Sequence, residues 1–349
     1  MEESDDRKRV GGGLKLGRRK AVGLSPESLV RTSLFSSGAT LPLVVEPAAQ
    51  DVRLEEWIAS SREFVEANLL KHGAILFRGF EVGSAPDFER CAKAASGHLF
   101  GEYGDLPREG ADGVIYQSTP YPPDKKILFH NEASHTHRWP MKQWFFCVQP
   151  AAEGGETPVV DCRKVYARLG DEIVERFRRK RVVYVRNFVD GLDVDWRQFF
   201  KTSDRAAVEQ ICRDASIECE WKSDGLRIRQ VCPAVAVHPK TGEPVFFNQL
   251  QLHHVSCMSA PVRDALLSLF RMEDLPRNVY YGDGSPIEDA LMEEIGRVYR
   301  ELEVGFRWRA GDILMLDNML TAHARNPYQG ARKILVAMAE MVSAGDISN

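Results

Sequence analysis

His130 and Glu132 stand two residues apart in Phe129-His130-Asn131-Glu132, directly after the short apolar run Ile127-Leu128. On an extended segment a spacing of two turns both side chains to one face. An imidazole and a carboxylate so placed can fill two corners of an octahedral metal site. A distant histidine then completes the facial triad that suits non-haem Fe(II) and leaves coordination positions open. His323 is the candidate for that corner, because it follows an expected strand over residues 313–316 and is itself followed by Arg325 and Arg332. A 2-oxo acid chelating such an ion needs a cation at its far carboxylate, and an Arg fork supplies a bidentate partner. Arg332, opening the run RKILVAMAE, is placed to do this. Gly154-Gly155-Glu156-Thr157-Pro158 offers tight backbone turns and, in Thr157, a hydroxyl that can donate a second hydrogen bond to the same carboxylate.

Each signal is weak alone, since HxE pairs arise by chance. The segment HNEASHTHRWP is unusual in its density of histidine and admits a rival, in which His135 and His137 bind zinc in a hydrolase. His253-His254 read as pocket wall or core, and His72, His98 and His238 as surface or hydrogen-bonded residues. A metal-free binding protein on the same scaffold is a third class, because fold alone does not confer activity.

The elements that must carry these residues are legible in outline. Leu54, Trp57, Ile58, Phe64, Val65 and Leu69 recur at helical spacing over residues 53–72, with Gly73 as the stop. A strand is expected at 74–80 and a helix at 86–99 with Pro86 at its start. Further strands are expected at 144–149, 181–188, 226–232, 312–317 and 332–340, with a hairpin over 234–248 that turns at Lys240-Thr241-Gly242. Helical patterns lie at 165–180, 204–215, 261–270 and 287–302. Strands at both ends of the catalytic segment with helices between suit a mainly β barrel or sandwich wrapped by helices, not a βαβ repeat.

The chain has 349 residues, with 44% apolar and 28% charged, as in an ordinary globular protein, and one large domain over 27–349 is the expectation. Residues 1–26, with Lys15, Arg18, Arg19 and Lys20, read as a basic N-terminal arm. A net charge of −4 suggests no nucleic-acid partner. Seven cysteines without a CxxC argue for reduced thiols in a cytoplasmic protein, and no apolar stretch is long enough for a membrane span.

The runs FHNEASHTHRWPMKQWFFCVQPAAEGGETPVVDCRKVY and DNMLTAHARNPYQGARKILVAM resemble the TauD/TfdA family of Fe(II)- and 2-oxoglutarate-dependent dioxygenases. Within it they look closest to the clavaminate-synthase-like and SyrP-like branch, which uses HxE where taurine dioxygenase uses HxD. HNE, GGET, the distal histidine and the GxR after it occur in order, and the resemblance runs from about Gly73 to Met341. It implies a double-stranded β-helix, or jelly roll, with Fe(II) on His130, Glu132 and His323, and 2-oxoglutarate on Thr157 and Arg332. It also implies O₂ as co-substrate. Several members carry another Arg about four residues beyond the GxR, where this chain has Val336, so Arg332 must anchor the acid alone or with help from Arg325.

An intact Glu132 leaves no vacant ligand position of the kind that halogenases of this superfamily use for chloride, so hydroxylation is expected, with desaturation or cyclisation as alternatives. Members of the branch often hydroxylate amino acids, free or tethered to a carrier protein, for specialised metabolites. A small amino-acid-like substrate is therefore expected, with a carrier protein as a further partner if it arrives tethered. Gln117, Asn131, Asn248 and Arg325 are the candidates for its wall.

Overall fold

The chain is described by a computed structural model over residues 26–346, apart from 36–37, 102–107, 110–112, 119–120, 190–193 and 224. The expected basic arm therefore lies outside the described residues, except Pro26, which opens the 3-10 turn Pro26–Leu29.

Period-two alternation along Arg138–Gln149 divides the interior. Trp144 and Phe146 point to a helix-covered core with Trp57, Phe77 and Phe88. Phe145 and Cys147 point the other way, to a core shared with Val159, Leu314 and Val336. Both faces are buried, which explains the near-continuous apolar character of the run. The strand starts six residues before the expected boundary, through Pro140 and the charged Lys142. Lys142 is tolerated there because it pairs with Glu66 at 2.8 Å and Glu340 at 2.6 Å.

This strand lies inside an eight-stranded sheet, between Ile313–Asp317 and Lys333–Ser343. Beyond Ile313–Asp317 come Ala74–Phe77, antiparallel to it, and then Leu43–Pro47, parallel to Ala74–Phe77. A second layer is the three-stranded sheet of Ile127–His130, Thr321–Arg325 and Val159–Asp161. Trp139 and Met141 of the large sheet share a core with Val160, Ala322 and Ala324 of the small one. Two packed, mainly antiparallel layers joined by chain segments that cross between them give the expected jelly roll. A third sheet, Glu218–Lys222, Gly225–Cys232, Val182–Val189 and Arg277–Tyr281, is inserted between the halves.

Two expected helices are each broken in two. The pattern over 53–72 forms Leu54–Ser60 and Arg62–His72, separated at Ser61, whose backbone leaves the helical region. That over 165–180 forms Cys162–Leu169 and Asp171–Lys180, divided at Gly170 with φ 81°. Apolar periodicity persists across both breaks because each pair of helices still lays one face on the same core. The 235–246 hairpin, the helices at 205–214 and 260–269 and the strands at 182–189 and 225–232 fall within a residue or two of expectation. All seven cysteines are free thiols, and among the described residues no helix is long and apolar enough to cross a membrane.

Gly73 joins the helical layer to the turn that leads into the small sheet. It adopts φ 75°, caps Arg62–His72 through its N–H to the Leu69 carbonyl, and accepts from Asp317 N at 2.9 Å and Thr321 Oγ1 at 2.8 Å. A Cβ there would stand 2.5 Å from Thr321 Oγ1. Gly73→Ala is therefore expected to lower stability by about 1–3 kcal/mol, from left-handed strain plus the clash. Urea unfolding reads this directly, and an unchanged midpoint would show that the junction relaxes freely.

Candidate metal centre

The small sheet brings the distal histidine to the pair. Thr321–Arg325 runs antiparallel to Ile127–His130 with His323 directly opposite His130, and on its other side His323 pairs with Val159. The two imidazole rings are 4.2 Å apart, inclined at 50°, and Phe145 of the large sheet packs 5.0 Å from His323.

Glu132 arrives differently from expectation. The strand ends at His130, so Glu132 belongs to a turn in which Ala133 takes φ 55°. Two polar residues hold it. Asn318 accepts from Glu132 N at 2.7 Å and donates to its carbonyl at 3.0 Å and to that of Pro140 at 2.9 Å. Gln143, on the inner face of the large sheet, donates to Glu132 Oε2 at 3.1 Å. Asn318 is in turn set by Asp317, which caps the turn through Met319 N and Leu320 N and meets buried His238 at 3.1 Å. None of these three was singled out from the sequence, although Asp317-Asn318 is a recognisable Asx turn signal.

His130, Glu132 and His323 place one ligand atom each within 4.8 Å of one another, and among the described residues no other such group occurs. The donor set fits ferrous iron. His130 Nδ1 donates to the Leu128 carbonyl at 2.9 Å, which leaves Nε2 with its lone pair. Burial, with His130 alongside, pushes His323 well below the ordinary imidazole range, so it is neutral as a ligand must be. Its Nδ1 is buried with no hydrogen-bonding partner among the described residues.

Beside the triad, Arg332 Nε donates to the Gly155 carbonyl at 2.9 Å and its terminal nitrogen lies 3.4 Å from Thr157 Oγ1. Gly155 is required: at φ 72° its Cβ would come 3.0 Å from Arg332 Cδ. Trp308 Nε1 donates to Thr157 Oγ1 at 3.1 Å. Arg332 has no carboxylate within ion-pair distance among the described residues. Burial, with Arg325 nearby, pushes it down to about 10, still charged at neutral pH.

The other candidates fare unequally. Arg325 donates to the Tyr121, Pro122 and Lys125 carbonyls, so it latches that loop, while its guanidinium shares the Tyr328 ring with Arg332. Asn131 is wholly buried. Its amide donates to the Asn318 and Thr321 carbonyls and its oxygen accepts from Asn248 N. Asn248 is equally buried and caps Leu250 N. Expected in the substrate wall, both instead satisfy backbone, which a fully buried carboxamide must do. Gln117 is exposed, across the ladder from Leu335. The zinc reading fails because His137 meets the Val231 carbonyl while His135 packs 5.2 Å from His253, and the two do not converge on a third ligand among the described residues.

A family profile described as "Taurine catabolism dioxygenase TauD, TfdA family" matches residues 39–338. The dapdiamide synthesis protein DdaC of Enterobacter agglomerans is 36% identical over 88% of this chain and 93% of its own length. A clavaminate synthase-like protein of Arabidopsis thaliana is 29% identical over 86% of this chain and 91% of its own. Among solved structures, a taurine dioxygenase from Burkholderia xenovorans superposes with TM-score 0.54 at 15% identity, covering 89% of each chain. PvcB, described as an Fe, alpha-ketoglutarate dependent oxygenase, superposes with TM-score 0.52 at 16% identity, covering 90% of this chain and 94% of its own.

Replacing Gln143 by Leu keeps the volume but removes the donor to Glu132. Outer-shell losses of this kind weaken metal binding by about 10–100-fold. Anaerobic calorimetry with Fe(II) checks this, and wild-type affinity in the variant would show that the turn alone orients the carboxylate.

Proposed function

Because the chain belongs to the TauD/TfdA family, we propose that it hydroxylates an unactivated C–H bond of a small amino-acid-like substrate, with its iron on His130, Glu132 and His323. It is a 2-oxoglutarate-dependent dioxygenase, and its cofactor set is Fe(II), 2-oxoglutarate and O₂. The observation that carries the residue assignment is the cross-strand register that sets His323 opposite His130 with Glu132 beside them.

Bound iron supplies the coupling of O₂ reduction to decarboxylation of 2-oxoglutarate and oxidation of the substrate. The side chains do the rest. Two imidazoles and one carboxylate would leave open positions on the ion for the oxo acid and the gas. Arg332 takes the distal carboxylate of 2-oxoglutarate in its fork, which supplies the counter-charge its site lacks. Thr157 Oγ1 already accepts from Trp308, so its own proton is available to the same carboxylate. Phe145 keeps one flank of His323 apolar and dry. Glu132 fills the position a halide would need, which favours hydroxylation over halogen transfer. The name of the relative that takes part in dapdiamide synthesis supports a biosynthetic substrate, free or tethered to a carrier.

Anaerobic addition of Fe(II) and 2-oxoglutarate together is expected to give a weak visible absorption band, and Zn(II) none. Admitting O₂ with free amino acids and their carrier-bound thioesters should release succinate above background for one class. A band without any stimulated release would remove the amino-acid-like substrate and keep the iron site.

Arg332→Met is expected to weaken 2-oxoglutarate binding by about 2–5 kcal/mol, roughly 30-fold or more, because it deletes one partner of a desolvated charge pair. The same change should leave the protein without 2-oxoglutarate no less stable, since a half-buried cation with no ion-pair partner among the described residues is itself costly. Calorimetry and urea unfolding on one preparation read both, and unchanged 2-oxoglutarate affinity would dismiss Arg332 as the anchor.

A further inference from the structure

Residues 121–125 are exposed without a break, so no buried apolar side chain anchors them. Hydrogen bonds hold the segment instead, and three of them come from one side chain. Arg325 Nη1 donates to the Tyr121 carbonyl at 3.0 Å, and Nη2 donates to the Pro122 and Lys125 carbonyls at 2.6 Å each. Tyr328 N adds a main-chain bond to the Pro123 carbonyl at 2.9 Å. Just beyond the segment, Lys126 meets Glu303 at 3.4 Å. A stretch with so few buried apolar contacts lies at the low end of local stability, and its attachment depends on where Arg325 sits.

The same arginine stands beside Arg332. Arg325 is 7% exposed, and its hydrogen bonds go to carbonyls alone. No carboxylate lies within ion-pair distance of it among the described residues, and Asp124, in the segment itself, pairs with Lys125 at 3.3 Å. Its Nε is buried without a hydrogen-bonding partner. The Tyr328 ring lies 5.2 Å from its guanidinium carbon and 5.5 Å from that of Arg332. Two cations against one ring, one buried and one half-buried, repel each other more than they would in water. An anion held by Arg332 offsets that repulsion, so it lowers the cost of keeping Arg325 under the segment. The main chain joins the two places as well. Tyr328–Gln329 pairs with Glu153–Gly154, Gly155 N donates to the Pro327 carbonyl at 3.0 Å, and the Gly155 carbonyl accepts from Arg332 Nε at 2.9 Å.

We propose that Arg325 is a positioning residue that couples 2-oxoglutarate to residues 121–125: the bound acid tightens the segment, and the tightened segment raises affinity for the acid. The inference rests on Arg332 as the anchor of 2-oxoglutarate. Its consequence reaches the triad, because Arg325 is the cross-strand partner of Ile127, in the strand that ends at His130. Binding of the acid therefore steadies the approach to one histidine of the triad as well as the segment before it. Coupling of this kind is reciprocal, so the factor by which the acid suppresses opening equals the factor by which opening weakens the acid.

Hydrogen exchange at the Tyr328 amide, which bonds to the segment, reads its opening in the anaerobic Fe(II)-loaded protein with and without 2-oxoglutarate. Saturating 2-oxoglutarate is expected to slow this exchange about fivefold or more in the wild type. In Arg325→Met the slowing should vanish, and calorimetry should show 2-oxoglutarate bound more weakly by the same factor. Arg325→Lys keeps the charge without the reach to three carbonyls, and it should lose the slowing too. It also serves should Arg325→Met not fold. An arginine with a merely structural role would speed exchange equally with and without the acid, leaving the ratio as in the wild type. That unchanged ratio, or no slowing in the wild type with 2-oxoglutarate bound, would overturn the coupling and leave Arg332 as the anchor. Failure of the wild type to bind 2-oxoglutarate, or unchanged affinity in Arg332→Met, would remove the anchor and the coupling together.

Discussion

The site depends on one register. His323 sits opposite His130 in an antiparallel ladder, and because side chains alternate with period two, a slip of one residue would send His323 into the opposite face of the small sheet. Nothing local to TAHAR prevents such a slip. It is prevented by the turn before it, where Asp317 caps two N–H groups, Asn318 grips both the Glu132 turn and the Pro140 carbonyl, and Thr321 is tied to Gly73. His323 and Glu132 are therefore positioned by the same four residues, and the distance between them is a property of one turn.

That turn also explains why a double-layered β fold can build a site from residues so far apart in sequence. Ile313–Asp317 lies in the large sheet and Thr321–Arg325 in the small one, so the chain changes layers within three residues. Gln143 reaches Glu132 across the same gap from the large sheet, and Phe145, its neighbour on that face, reaches His323. Packing between layers and ligand placement are thus one set of contacts, with the polar members at the metal end and the apolar members below.

The residues that the fold brings together at His130, Glu132 and His323 were legible because their types are restricted by the chemistry proposed for them: imidazole and carboxylate for an ion, a guanidinium for an acid, glycine where Arg332 passes within 3.0 Å of a would-be Cβ. The residues that position them were less so. Gln143 sits in a run that reads as core, and Asn318 in one that reads as an ordinary turn; only three-dimensional proximity gives either a role. The strand Thr321–Arg325 itself escaped notice, since TAHAR has little of the β-branched and aromatic character that marks strands, and its burial comes from the two strands that flank it. Asn131 misled for the opposite reason. Its polar end was expected in the substrate wall, whereas the turn directs its amide to the Asn318 and Thr321 carbonyls.

Local rules are broken mainly where the chemistry is. Among the described residues eight buried side-chain atoms lack a hydrogen-bonding partner, and four of them belong to His135, Gln143, His323 and Arg325, all at or beside the triad. Arg332 adds a half-buried cation with no carboxylate within ion-pair distance among the described residues, next to a second arginine. Each such group costs on the order of 1–3 kcal/mol, more where it is charged. A fold selected for stability alone would replace them with apolar side chains of similar volume. Their concentration at one place marks the surroundings of His130, Glu132 and His323 as the part of the described structure where the polypeptide satisfies its own polar side chains least.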